Sequence, residues 1–180
     1  MNALTVGLLG ALSLLILPQF IWCPFFDVKF QDLLDFLNTS LKIYIFTLLP
    51  KTNVPCPFYT TVFLNTSYYI FNYTSNKCPP TTITLTADLV NDTVHGPYMT
   101  IHNWTGTNDV TKTMVYYNGK QHCAIFLCKE YGRSYAELHV WQDTFRIENY
   151  AKVFATCFSV YKSYTSQLSE LKHECTLGCY

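Results

Sequence analysis

The sequence predicts an all-β protein: eight short antiparallel strands closed neighbour to neighbour into an up-and-down barrel, with a helix flanking it near the C-terminus. Three observations carry that expectation. Aromatic residues reach 17 %, and with abundant Thr they favour strand over helix. Eight apolar or alternating runs follow one another, separated by brief Asn-, Asp-, Gly- and Lys-containing turns. Eight Cys in 180 residues, with only 13 % charged side chains, point to one disulfide-bonded domain with a real core. Closure follows because strands this apolar would leave adhesive edges in an open sheet. Eight strands make a barrel whose interior is filled by side chains or holds one small ligand. A seven-stranded immunoglobulin-type sandwich is the alternative, but its Cys–Trp–Cys spacing is not obvious here.

In chain order, Phe30–Leu37 reads as a short amphipathic helix, with Phe30, Leu33, Leu34 and Leu37 at helical spacing. Leu41–Leu49 is the first strand and stops at Pro50. Pro57–Leu64 and Tyr68–Tyr73 flank the turn-like Asn65-Thr66-Ser67. Thr81–Ala87 alternates Thr with Ile, Leu and Ala, a period-two face. Tyr98–Trp104, Val110–Tyr117, His122–Cys128 and Tyr135–Trp141 complete the eight. Asn149 to Tyr161 is the late helix, its stripe formed by Tyr150, Val153, Phe154 and Cys157.

The compartment is read from the N-terminus and the sequons. Leu8 to Leu17 is nearly all apolar and no charge occurs from Ala3 to Trp22. Residues 1–22 are therefore expected to be a signal peptide cut near Trp22 to Pro24, leaving 23–180 as a single domain. An uncleaved membrane anchor is the rival reading. Asn38, Asn65, Asn72, Asn91 and Asn103 each head an Asn-x-Ser/Thr sequon, the signature of glycosylation in a secretory lumen. A secreted protein is expected, with no membrane attachment after cleavage.

Composition excludes several functions. Twelve basic and twelve acidic side chains cancel, and the cations are scattered, so no basic stripe exists to track nucleic acid. There is no His-Glu-x-x-His, no Gly-x-Ser-x-Gly and no phosphate-cradling glycine loop. Neither Cys123 and Cys128 nor Cys175 and Cys179 has a matching Cys/His pair downstream, so disulfides are expected rather than a zinc site. Nothing asks for catalysis or for a cofactor.

Short motifs resemble those of tick salivary lipocalins of the histamine-binding type. Gln31-Asp32-Leu33-Leu34 followed by Leu41-Lys42-Ile43-Tyr44 is similar to that family's opening helix and first strand, with Leu34 where the family has Trp. Val54-Pro55-Cys56-Pro57-Phe58-Tyr59 resembles its first-Cys strand. Cys123 followed by Glu137-Leu138-His139 resembles its Cys and Glu-Leu-Trp strands, with His139 in the Trp position. Cys157 and a terminal Cys complete the pattern. The resemblance implies an eight-stranded barrel secreted into a host during feeding, binding histamine, serotonin or a lipid mediator such as a leukotriene, or in some members a complement protein. It also implies Cys123 paired with Cys157 and Cys56 with Cys175 or Cys179. Cys78 and Cys128 would then form a third pair. Cys123 and Cys128, an odd number apart in one strand, are expected on opposite faces.

Strand phase nominates the cavity residues. A glycan projects into solvent, so an outward Asn72 places Tyr69, Phe71 and Tyr73 inward. By the same logic an outward Asn103 places Met99 and Ile101 outward, and Tyr98, His102 and Trp104 inward. Tyr135, Glu137, His139 and Trp141 share one strand face, opposite Ala136, Leu138 and Val140. A carboxylate among aromatic rings suits an amine cation, by charge pairing and cation–π contact. Tyr116 and Met114 are expected to contribute from the neighbouring strand, with Asp32 and Asp109 as further acidic candidates. The expected partner is a small amine or lipid mediator. A host protein bound through the outer surface, as by an inhibitor of complement or clotting, is the alternative.

Overall fold

The computed structural model describes residues 27–46, 51–75, 77, 79–104, 106, 108–145, 155–165 and 174–176. The leader, Cys23, Cys78, Cys179 and the first part of the expected late helix lie outside them. Eight strands close as an antiparallel barrel: β1 (Ile43–Phe46), β3 (Phe58–Leu64), β4 (Tyr68–Thr74), β5 (Thr82–Val90), β6 (Tyr98–Ile101), β7 (Val110–Asn118), β8 (Cys123–Glu130) and β9 (Arg133–Trp141). Each pairs with its neighbour in sequence order, and β9 returns to β1 with Trp141 opposite Ile43. The expected fold is the observed one.

Two elements escape periodicity. Lys51–Pro55 forms β2 and pairs in parallel with β10 (Glu174–Thr176), outside the barrel. That pairing joins segments far apart in sequence, which local patterning does not report. A one-turn helix α2 (Gln142–Phe145) follows β9 directly. The late helix α3 is seen over Ala155–Thr165.

Helix α1 (Phe30–Leu37) buries Leu33, Phe36 and Leu37, the apolar side of its 3.6-residue repeat. Asp32 accepts the Lys29 amide at 2.8 Å, satisfying one of the helix's free N–H groups. Phe36 packs on Tyr117, Phe126 and Trp141, with centroids 6.0, 6.0 and 6.1 Å away. Tyr117 and Trp141 both lie at the end of the barrel near the 119–122 connection, so α1 closes that end. In an up-and-down barrel alternate connections share an end, so 75–81, 102–109 and 131–132 lie at the other.

Two cores result. Inside the barrel, α1 packs with Tyr59, Tyr69, Phe71, Met99, Ile101, Met114 and Phe126 among others. Outside, α3 lays Cys157, Tyr161 and Tyr164 on Tyr116, Ile125, Leu138 and Val140. Strands β8 and β9 are thus covered on both faces, which explains their nearly continuous burial. Cys123 is bonded to Cys157, tying α3 to the barrel wall. Among the described residues no helix is long and apolar enough to cross a membrane.

Candidate functional site

The face of β9 expected to matter carries the chemistry. Glu137 and His139 point inward and are buried, while Ala136, Leu138 and Val140 pack outward beneath α3. Glu137 does not face an open polar space. Its Oε2 accepts the Lys112 ammonium at 2.6 Å and lies 2.8 Å from His139 Nε2. Lys112 comes from β7 and also donates to the Tyr59 hydroxyl at 2.9 Å. Its Nζ sits 4.5 Å from the centroid of Trp104 and 5.6 Å from that of Tyr59. Tyr73 packs on Trp104 at 4.8 Å, and Phe126 on His139 at 4.6 Å.

The arrangement is a carboxylate among rings whose cation is the protein's own. Burial pushes the Glu137 carboxyl up, but the Lys112 ammonium and the His139 hydrogen bond outweigh it and hold it at about 2. Burial alone would lower the Lys112 ammonium; the Glu137 charge prevails and raises it well above its usual value. His139 is pushed down by burial despite Glu137 beside it, so its ring is neutral near pH 7. Removing two charges from water is costly and is offset only by close pairing.

The remaining expected residues separate. Trp104 is inward, in contact with the barrel core. Trp141 is inward too, but at the closed end, where its Nε1 donates to the Phe36 carbonyl at 3.0 Å. Tyr98 and His102 are corrections. Met99 and Ile101 fill the interior, so Tyr98 faces outward, and His102 sits at the surface between Asp88 (3.1 Å) and Asp109 (3.0 Å). The physical reason is local. The strand ends at Ile101, and Asn103 has φ 54°, so its outward direction says nothing about β6 phase. Asn72 lies within β4, where the same logic places Tyr69 and Phe71 in the core.

Tyr116 is buried, but under α3 and not in the barrel. A bulge between Met114 and Tyr116 reverses the phase of β7 there. Asp32 caps α1 at the barrel's outer end and takes no part in the interior cluster. Cys128 is a free, buried thiol, which overturns its expected pairing with Cys78. It points into the barrel while Cys123 lies in the outer core. Cys56 is disulfide-bonded; with Cys123, Cys157 and Cys128 accounted for, its partner is one of Cys23, Cys78, Cys175 and Cys179.

Lys112 and Tyr59 were missed. The signal for Lys112 was present: it shares a phase with Val110 and Met114, against Thr111 and Thr113. A lysine in an apolar phase needs a buried partner, and Glu137 was the available carboxylate. Among the described residues no group of three metal-ligating side chains occurs. A cavity of about 660 Å³ lies elsewhere, lined by Val28, Phe30, Asn91, Gly96, Met114 and Tyr164 among others; of the residues expected at the site Met114 borders it, and Glu137, His139, Trp104 and Trp141 do not.

No family model matches the chain, and no curated protein is similar to it. Solved structures similar to it include Japanin from Rhipicephalus appendiculatus bound to cholesterol, at 13 % identity and a TM-score of 0.41, covering 67 % of this chain and 87 % of that one. The siderocalin Ex-FABP aligns at 13 % identity and a TM-score of 0.47 over 75 % of this chain and 94 % of that one. Apocrustacyanin C2 aligns at 9 % identity and 0.46, over 74 % and 73 %. The chain's own topology is a closed eight-stranded up-and-down barrel with one helix across an end and another on its flank, an architecture that lipocalins have.

Proposed function

We propose that this protein is a secreted salivary lipocalin that binds a small host mediator inside its barrel and sequesters it at a feeding site. The observation that carries the reading is the Lys112–Glu137–His139 cluster, charged groups set in an otherwise aromatic barrel interior. A barrel core needs only hydrocarbon to be stable, and buried ion pairs add little to stability; perturbed ionisable groups inside a fold are a functional signature. Of the two mediator classes, a lipid fits better than a biogenic amine, because Lys112 already neutralises the carboxylate. Secretion is supported by the apolar leader, the five sequons and the Cys123–Cys157 disulfide. The sequons at Asn38, Asn65, Asn91 and Asn103 stand on exposed residues, and Asn72 is half-buried on the outer face.

One observation favours the second reading, a lipocalin scaffold that inhibits a host protein through its surface. Tyr59, Phe71, Phe126 and Lys112 have no accessible surface, so the middle of the barrel is filled. Calorimetric titration of the secreted protein with histamine, serotonin and a leukotriene separates the two. Leukotriene binding without amine binding is expected; binding of none transfers the function to the surface.

A further inference from the structure

The interior cluster contains one polar atom that the fold leaves unsatisfied. His139 is fully buried, and among the described residues its Nδ1 has no hydrogen-bond partner. Its character follows from its neighbours. An ionised Glu137 only accepts, so the 2.8 Å contact with His139 Nε2 is an N–H donation. The neutral ring carries one proton, on Nε2, which leaves Nδ1 as a bare acceptor.

Lys112 decides what else the site can take. Its ammonium lies between the Glu137 carboxylate, the Tyr59 hydroxyl and the ring of Trp104, the position a ligand's cation would occupy. The charges of Lys112 and Glu137 cancel and His139 adds none. What remains open is an acceptor walled by Phe36, Tyr59 and Phe126, whose centroids lie 6.5, 5.5 and 4.6 Å from the imidazole.

We infer that the barrel recognises an apolar ligand without a cationic group through one hydroxyl donated to His139 Nδ1, and that Lys112 is the specificity-determining residue that keeps amines out. The inference rests on the reading of the barrel as a container for a small ligand. Because Tyr59, Phe126 and His139 have no accessible surface, the ligand seats by displacing rings, a side-chain change of the kind that binding commonly brings.

The test is calorimetric titration of the full-length secreted protein with 1-dodecanol, its methyl ether and dodecylamine. In the unaltered protein the alcohol binds roughly fivefold to tenfold tighter than the ether, the range for one neutral hydrogen bond, and tighter than the amine. In His139→Phe the alcohol loses its margin over the ether while the ether still binds. In Lys112→Met dodecylamine gains affinity relative to the alcohol. The comparison in the unaltered protein needs no variant to fold. Equal affinity for alcohol and ether there, or tightest binding of the amine, overturns the inference and leaves the container reading standing. Binding of none of the three overturns both.

Discussion

Trp141 donates its indole N–H to the Phe36 carbonyl at 3.0 Å, and their rings stack with centroids 6.1 Å apart. That carbonyl lies in the last turn of α1, where the helix itself offers no donor. Trp141→Phe keeps an aromatic ring and removes the hydrogen bond. It is expected to destabilise by about 1–2 kcal/mol, read as a lower urea midpoint at unchanged slope. An unchanged midpoint would show that the bond contributes nothing.

The Lys112–Glu137 pair gives an asymmetric expectation. Lys112→Met leaves a buried carboxylate without its cation and should cost about 3–5 kcal/mol. Lys112→Met combined with Glu137→Gln removes both charges and retains an acceptor for His139. The double variant should therefore be more stable than the Lys112→Met single, in a denaturant double-mutant cycle. Additive losses would mean that the two side chains do not interact.

Acid should expose the same pair. The folded Glu137 value of about 2 lies below its usual 4.5, so the unfolded chain binds more protons between them. The contribution is present above pH 4.5 and is lost as pH falls towards 2, by about 3 kcal/mol in total. Glu137→Gln should flatten that part of the stability–pH curve. A variant curve parallel to the parent's from pH 5 to 2 would assign the acid loss elsewhere.

His102 is raised above 6.5 by its hydrogen bond to Asp109, reinforced by Asp88. A raised folded value stabilises below 6.5, and the contribution is lost as pH rises through the folded value. An NMR titration of the ring should give a midpoint above 6.5, and Asp109→Asn should lower it. A midpoint unmoved by that change would remove Asp109 as the cause.

Cys128 is buried, and burial together with the Glu137 charge raises its thiol well above the usual range. It should resist alkylation in the native protein and react once the chain is unfolded without reductant. Peptide mapping of the same sample should return Cys123 joined to Cys157. Cys128 recovered in a disulfide would contradict the structure.

The barrel was legible because its information is local. Period-two runs and turn residues mark each strand, and alternation along β9 sets Glu137 and His139 on one face, opposite Ala136, Leu138 and Val140. What was not legible depends on departures from alternation or on partners far away in sequence. The bulge in β7 redirects Tyr116 to the outer core, and a single inserted residue leaves no compositional trace. The left-handed Asn103 separates its own direction from the strand before it. Lys112 was passed over because its partner lies two strands away, so its burial makes sense only once Glu137 is beside it. The pairing of β2 with β10 is non-local in the same way.

The seam between β1 and β9 also sets an order of events. Every other barrel pairing joins consecutive barrel strands, at smaller loop-closure entropy. The seam brings Ile43 to Trp141, so it carries the largest entropic cost and is formed against the greatest chain freedom. The residue at that seam is also the one that holds α1 across the end. Wall and end therefore meet at one residue, whose backbone belongs to the seam and whose side chain belongs to the end. A chain stopped short of β9 would carry most of its strands and no inside.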